Sequence, residues 1–187
     1  MRRTLVPAVV VLAALSMGAL TACEAEKPKK ETSSSSSAKS KSESDTDAAP
    51  AAEEENSDGP LAGGETAAYG GMKITVSKAS AFKPSEYAVG HTDGNKAYTV
   101  TVTLENSGKE KFDGTLVLVT ARAGADGVEA EQIFDDKTGE GFNGAVLPGK
   151  KATAVFAFDT PADAKVLDVE VEPGDFEKEA AQWSIKL

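Results

Sequence analysis

The sequence predicts an all-β fold, a two-layer antiparallel sandwich, over residues 67–187. Three observations predict it: apolar and polar residues alternate in run after run, turn-forming residues separate the runs, and no helical period is sustained. "AYTVTVTLEN" is the cleanest run, with Tyr98, Val100, Val102 and Leu104 on one side and Thr99, Thr101 and Thr103 on the other. Successive side chains of a strand point to opposite faces, so this run reads as a strand with one face buried.

The other elements follow in chain order. "GMKITVSK" sets Met72, Ile74 and Val76 against Lys73, Thr75 and Ser77, ahead of the 97–106 run. "TLVLVTAR", residues 115–122, is apolar on both faces, as a central or covered strand would be. "KKATAVFAFDT" offers Ala154, Phe156 and Phe158 to one face, and "VLDVEVEP" sets Leu167, Val169 and Val171 against Asp168, Glu170 and Glu172. "QWSIKL" closes the chain with Trp183, Ile185 and Leu187 on one face. Asn106-Ser107-Gly108, Asp126-Gly127, Pro148-Gly149, Pro161 and Pro173-Gly174 mark turns, and "DTPADAKV" has room for one helical turn. No cysteine pair flanks Trp183, so burial alone must hold the sheets together.

The amino-terminal third has a different character. Arg2-Arg3 precedes nineteen uncharged residues, Thr4 to Ala22, in the pattern of a secretory signal peptide spanning residues 1–22. A stretch this long nearly suffices to cross a bilayer, for which about 20 residues are needed, so an uncleaved anchor is the competing reading. Pro7 and the small residues near its end favour cleavage. "RRTLV" also fits a minimal twin-arginine pattern, which leaves the export route open. The single cysteine of the chain, Cys23, follows at once. Leu20-Thr21-Ala22-Cys23 resembles the lipobox of bacterial lipoprotein precursors, which implies cleavage before Cys23 and a lipid on its thiol. An acylated Cys23 would leave no free thiol, excluding cysteine catalysis, CxxC redox chemistry and thiolate metal sites.

Residues 23–66 read as a disordered tether rich in Ser, Ala and Glu, too poor in apolar side chains to offset the entropy of ordering. As far as Lys41 it holds five Lys against three Glu, whereas Ser42 to Glu65 holds eight acids and no base. A flexible coil of this length spans about 35 to 40 Å, enough to hold a globule clear of a membrane. Without Arg2 and Arg3 the chain's 20 basic residues become 18 against 30 acidic ones, a net charge of −12. That balance repels phosphate, and no basic patch interleaves with aromatics in the domain, so nucleic acid is set aside as a partner.

Four motifs occur in order: "TVTVTLENSGKEKFD", "LVLVTARAGADGVEAE", "VLPGKKATAVFAFDTP" and "VLDVEVEP". Together they resemble the telokin-like immunoglobulin-fold domains of secreted proteins and lipoproteins of Gram-positive bacteria, chiefly actinobacteria. The resemblance covers roughly residues 70–187 and implies an immunoglobulin-like sandwich outside the cytosol. It implies no reaction, since these domains are largely of unknown function.

Candidate site residues are sparse. The sole histidine, His91, lies in a Gly- and Asp-rich loop, and a Ser-His pair completed by Asp93 would need all its members from that one loop. Triads draw their members from separated strands or a strained elbow, so no catalytic residue is assigned and the chain is not expected to be an enzyme. "DDKTGEG" offers Asp135 and Asp136, but its spacing departs from calcium loops and Lys137 would repel a cation, so neither metal nor cofactor is expected. The Asp168, Glu170 and Glu172 stripe reads as a solvent face. The two longest breaks between strands, 83–95 and 134–144, each carry an aromatic. Long loops on a rigid scaffold are where binding residues concentrate, so Tyr87, His91, Asp93, Asp135, Asp136 and Phe142 are the candidates.

The expectation is therefore a protein anchored to the outer face of a membrane by the lipid on Cys23, with a sandwich that binds another envelope protein or a wall polymer. Two alternatives stand beside it: a non-binding spacer or accessory subunit of a membrane complex, and a secreted hydrolase using His91.

Overall fold

The computed structural model describes residues 25–31 and 59–187. The signal peptide, Leu20, Thr21, Ala22 and Cys23, and residues 32–58 of the expected tether lie outside the described residues.

Strands and no α-helix make up the described residues: β1 (Lys29–Glu31), β2 (Leu61–Ala62), β3 (Thr66–Tyr69), β4 (Met72–Val76), β5 (Ser80–Phe82), β6 (Lys96–Asn106), β7 (Phe112–Asp113), β8 (Leu118–Ala123), β9 (Val128–Glu129), β10 (Gln132–Ile133), β11 (Ala145–Val146), β12 (Lys151–Thr160), β13 (Val166–Glu172) and β14 (Ala181–Lys186). One sheet runs β1-β3-β4-β6-β12-β10, with β5 taking the stretch of the β6 edge that β4 leaves open. The second runs β2-β14-β13-β8-β9, and β7 and β11 form a small ribbon. This is the expected all-β sandwich, its strands antiparallel except where β2 runs parallel to β14. The segment read as a helical turn closes as a plain turn, Ala164 N–H donating to the Pro161 carbonyl.

The alternating runs bury the faces they should. Ile74, Val76, Val102 and Leu104 from the first sheet meet Leu167, Val169, Val171 and Trp183 from the second, all at most 1% exposed. Trp183 settles its polar atom as well, its indole N–H donating to the Glu65 carbonyl at 3.0 Å. Burying an indole without a partner would cost free energy, and this bond removes that cost.

The structure departs from expectation in several places. The domain begins before residue 67: β2 and Thr66 of β3 are already in the sheets. Residues 25–31, read as tether, lie along the sheet edge, Lys29 opposite Ala68 and Glu31 opposite Thr66. Ion pairs tie them to the domain, among them Lys30–Glu65 at 2.8 Å and Lys73–Glu31 at 2.6 Å. Charge on an edge strand discourages pairing with another chain, which is why this strand does not look like one in sequence. The 115–122 run is not covered on both faces: Val119, Ala121 and Ala123 are buried, while Leu116 and Leu118 face solvent. In β6 it is Ala97 that is buried and Tyr98 that is half-buried, because the 83–95 loop folds over the outer face at that end.

Candidate functional site

β6 gives the molecule two ends. Its last residue, Asn106, sits beside the β3–β4 turn, and its first, Lys96, sits opposite Thr160 of β12. The 83–95 loop and the start of the 134–144 loop gather at the Lys96 end, and the second loop then crosses toward the Asn106 end, where the Gly144 carbonyl accepts from Gly114 N–H.

At the Lys96 end they are laced together. Val89 and Phe134 exchange backbone hydrogen bonds, Val89 N–H to the Phe134 carbonyl at 3.0 Å and Phe134 N–H to the Val89 carbonyl at 2.9 Å. Gly90 makes this approach possible: it has φ +90°, and a Cβ on it would lie 2.2 Å from the Gln132 carbonyl oxygen. No residue with a side chain fits that position. Beneath the loop a small second core forms from Ala97, Ile133 and Ala157, with Phe82 and Ala88 packed against it.

Asp135 is a structural carboxylate. Its Oδ2 accepts from Ser85 N–H at 2.6 Å and its Oδ1 from Asp136 N–H at 2.6 Å, which fixes one loop to the other. The Ser85 bond, foremost, holds its carboxyl below the usual range. Thr138 completes the turn, its hydroxyl accepting from Asp135 N–H at 2.9 Å.

His91 finds an acid, but it is Asp159 of β12 and not Asp93. His91 Nδ1 lies 2.7 Å from Asp159 Oδ1, and Asn95 Nδ2 donates to Asp159 Oδ2 at 2.6 Å. Asp159 is buried, so these two contacts tie both ends of the loop segment to the sheet. Asp93 lies exposed within the segment. Phe142 is likewise not a binding-loop residue. It is buried, with its ring centroid 6.0 Å from that of Phe156 at an interplanar angle of 55°. It belongs to the main core.

Between the two loops the surface holds a shallow depression of ≈ 270 Å³ lined by Ser85, Tyr87, Phe134, Asp135, Asp136, Thr138 and Glu140. Tyr87 is 80% exposed, and Val89 and Phe134 stand exposed beside it. Among the described residues no buried side-chain nitrogen or oxygen lacks a hydrogen-bond partner, and no group of three His, Cys, Asp or Glu is placed to hold a metal ion. The arrangement suits contact with an extended surface through an apolar tip with an acidic rim.

The family described as "Domain of unknown function (DUF4352)" matches residues 61–181. The chain belongs to this family. The match begins at β2 and so leaves out β1. Among solved structures, the DUF4352 domain is similar to the yjhA protein of Bacillus subtilis, with a TM-score of 0.56 and 19% identity over 67% of this chain and 99% of that one. It is also similar to a protein of Bacillus subtilis described as a putative lipoprotein (ycdA), with a TM-score of 0.52 and 16% identity over 65% of this chain. The match spans 38% of that longer chain. At these identities the likeness is one of fold. Comparison with curated proteins finds no match.

Sequence reasoning missed Val89, Phe134, Asn95 and Asp159 as parts of this end of the DUF4352 domain. Val89 and Phe134 left a signal, being large apolar residues among polar loop neighbours. Asp159 left a fainter one, a carboxylate in the apolar run "AVFAFDT".

Proposed function

We propose that this protein is a lipid-anchored binding protein of the bacterial envelope, held outside the cytosol by a lipid on Cys23 and contacting its partner through the Tyr87–Val89–Phe134 tip. The observation that carries the binding reading is the tip itself. Three large apolar side chains are exposed on loops that hydrogen bonds hold rigid, and exposed aromatic groups presented without an ordering cost are what interfaces use as anchors. The anchoring reading rests on the sequence at Leu20 to Cys23. The partner is an envelope protein or a wall polymer.

A photo-reactive residue at position 87 tests the contact, with one at the exposed Val128 as control. Position 87 should crosslink to one partner or to wall polymer in intact cells, and Phe134→Ser should abolish the adduct. Equal labelling from 87 and 128 would reject a specific contact. Anchoring is tested separately by intact mass of the membrane-extracted chain and by Cys23→Ser, which should send the protein into the medium or leave it as a precursor.

A further inference from the structure

At the Asn106 end a second apolar group is exposed. Phe176 is fully exposed, and Leu116 and Leu118 are more than half exposed. The two leucines flank the turn that leads to Phe176: Leu118 pairs with Glu172 across β8 and β13, and Gly174, two residues before Phe176, packs so closely on Leu116 that a Cβ added to it would lie 2.6 Å from the Leu116 Cβ. Gly174 also has φ +74°, so the turn depends on glycine twice over. Asp175 fixes the tip that carries Phe176, accepting from Glu177 N–H at 3.0 Å and pairing with Lys178.

The chain that would leave the anchor docks on this same tip. Glu26 N–H donates to the Glu177 carbonyl at 2.5 Å, Glu179 N–H donates to the Glu26 carbonyl at 2.9 Å, and Glu26 Oε1 accepts from Gly70 N–H at 2.7 Å. Cys23 is three residues before Glu26. Fully extended, three residues span about 10 Å.

We propose that Phe176, with Leu116 and Leu118, seats in the interfacial layer of the bilayer that holds the Cys23 lipid, so that the domain rests on the membrane by its Asn106 end. This deepens the proposed function and rests on its anchoring reading. With the lipid inserted, a lead of about 10 Å keeps Phe176 within reach of the headgroup layer, and an exposed aromatic side chain gains by entering it. Charge supplies little of the attraction. Lys109, Lys111 and Lys178 line the adjoining cleft, but Glu110, Asp113 and Asp175 lie among them and offset their charge. Insertion should therefore persist on neutral phosphatidylcholine.

The test uses Phe176→Trp in the full chain, extracted from membranes and reconstituted into phosphatidylcholine vesicles, some with brominated acyl chains. Trp183 is fully buried and supplies a constant background, and Phe176 is exposed, so the variant should keep the wild-type melting temperature. Bromolipid should quench the emission that Phe176→Trp adds by about half, while the emission added by Tyr87→Trp, at the opposite end, is unaffected. Equal quenching of the two variants, or of neither, overturns the inference. So does an indole at position 176 that is shielded only as protein density rises, because that makes a second copy the occupant of the patch. Intact mass is read on the same sample. An unacylated chain defeats the anchoring reading, and docking is then decided on the same chain coupled through Cys23 to a maleimide phospholipid, by the same comparison of Phe176→Trp with Tyr87→Trp.

Discussion

At the scale of single residues, two buried polar side chains hold the ends of the sandwich. Asn106 is 1% exposed, and its Nδ2 donates to the carbonyls of Glu110 at 2.7 Å and Val146 at 2.8 Å while its Oδ1 accepts from Gly108 N–H at 3.0 Å. Asn106→Ala leaves the Glu110 and Val146 carbonyls short of a partner, while Gly108 N–H keeps the Gly71 carbonyl at 3.0 Å; a group left unsatisfied costs about 1–3 kcal/mol, so we expect a loss of about 2 kcal/mol in a urea titration. A loss under about 1 kcal/mol would mean that water replaces the amide. Asp159 plays the same part at the other end, and Asp159→Ala, which strands His91 and Asn95, should cost about 2 kcal/mol on the same reasoning. Hydrogen exchange distinguishes the two sites: Asp159→Ala should speed exchange in residues 85–95 before the rest of the domain. These roles were only partly legible in the sequence. Asn106 stood out as the end of an alternating run, whereas nothing in "HTDGNK" says that its histidine reaches a carboxylate 68 residues away.

Among elements, β1 is the informative one. Strands such as β6 and β14 could be read directly, because a half-buried strand must alternate and these do. β1 could not, because "KKE" gains its place through ion pairs and the free edge of β3 and buries no apolar face. Exposed ion pairs contribute about 0–1 kcal/mol each, so β1 should open long before the core does. Glu26→Pro removes the N–H that donates to Glu177 and the carboxylate that accepts from Gly70. We expect amide exchange in residues 29–31 to rise at least tenfold with the core unchanged; equal protection in variant and wild type would show that the β3 ladder and the ion pairs hold the strand without Glu26. β1 should also respond to pH. Glu65 is held below its ordinary value of 4.5, first by the Lys30 bond and then by the Ala62 N–H. A carboxyl depressed in the folded state contributes stability above its unfolded value and loses it as pH falls through the folded one. NMR shifts of residues 29–31 should accordingly move toward coil values below pH 4.5, while those of Val102 stay fixed.

On the scale of the whole molecule, the docking of β1 inverts the expected use of the low-complexity segment. A tether running from 23 to 66 would set how far the domain stands from the membrane. With residues 25–31 on the sheet edge, residues 32–58 join β1 to the body of the same domain, and the proposed anchor at Cys23 would meet the Asn106 end whatever their length. The Tyr87 tip then stands on the far side of β6, whose eleven residues at about 3.4 Å each span about 34 Å. Energy transfer from a dye at position 87 to acceptors in the headgroup layer measures that height. We expect a single distance of at least about 30 Å, unchanged when residues 32–58 are cut to half their number. A free tether predicts otherwise, because the root-mean-square span of a coil of 27 residues falls from about 29 to about 20 Å on halving. A height that follows the length of this segment would mean that β1 does not hold the domain at the membrane, and the opposed placement of anchor and tip would fall with it.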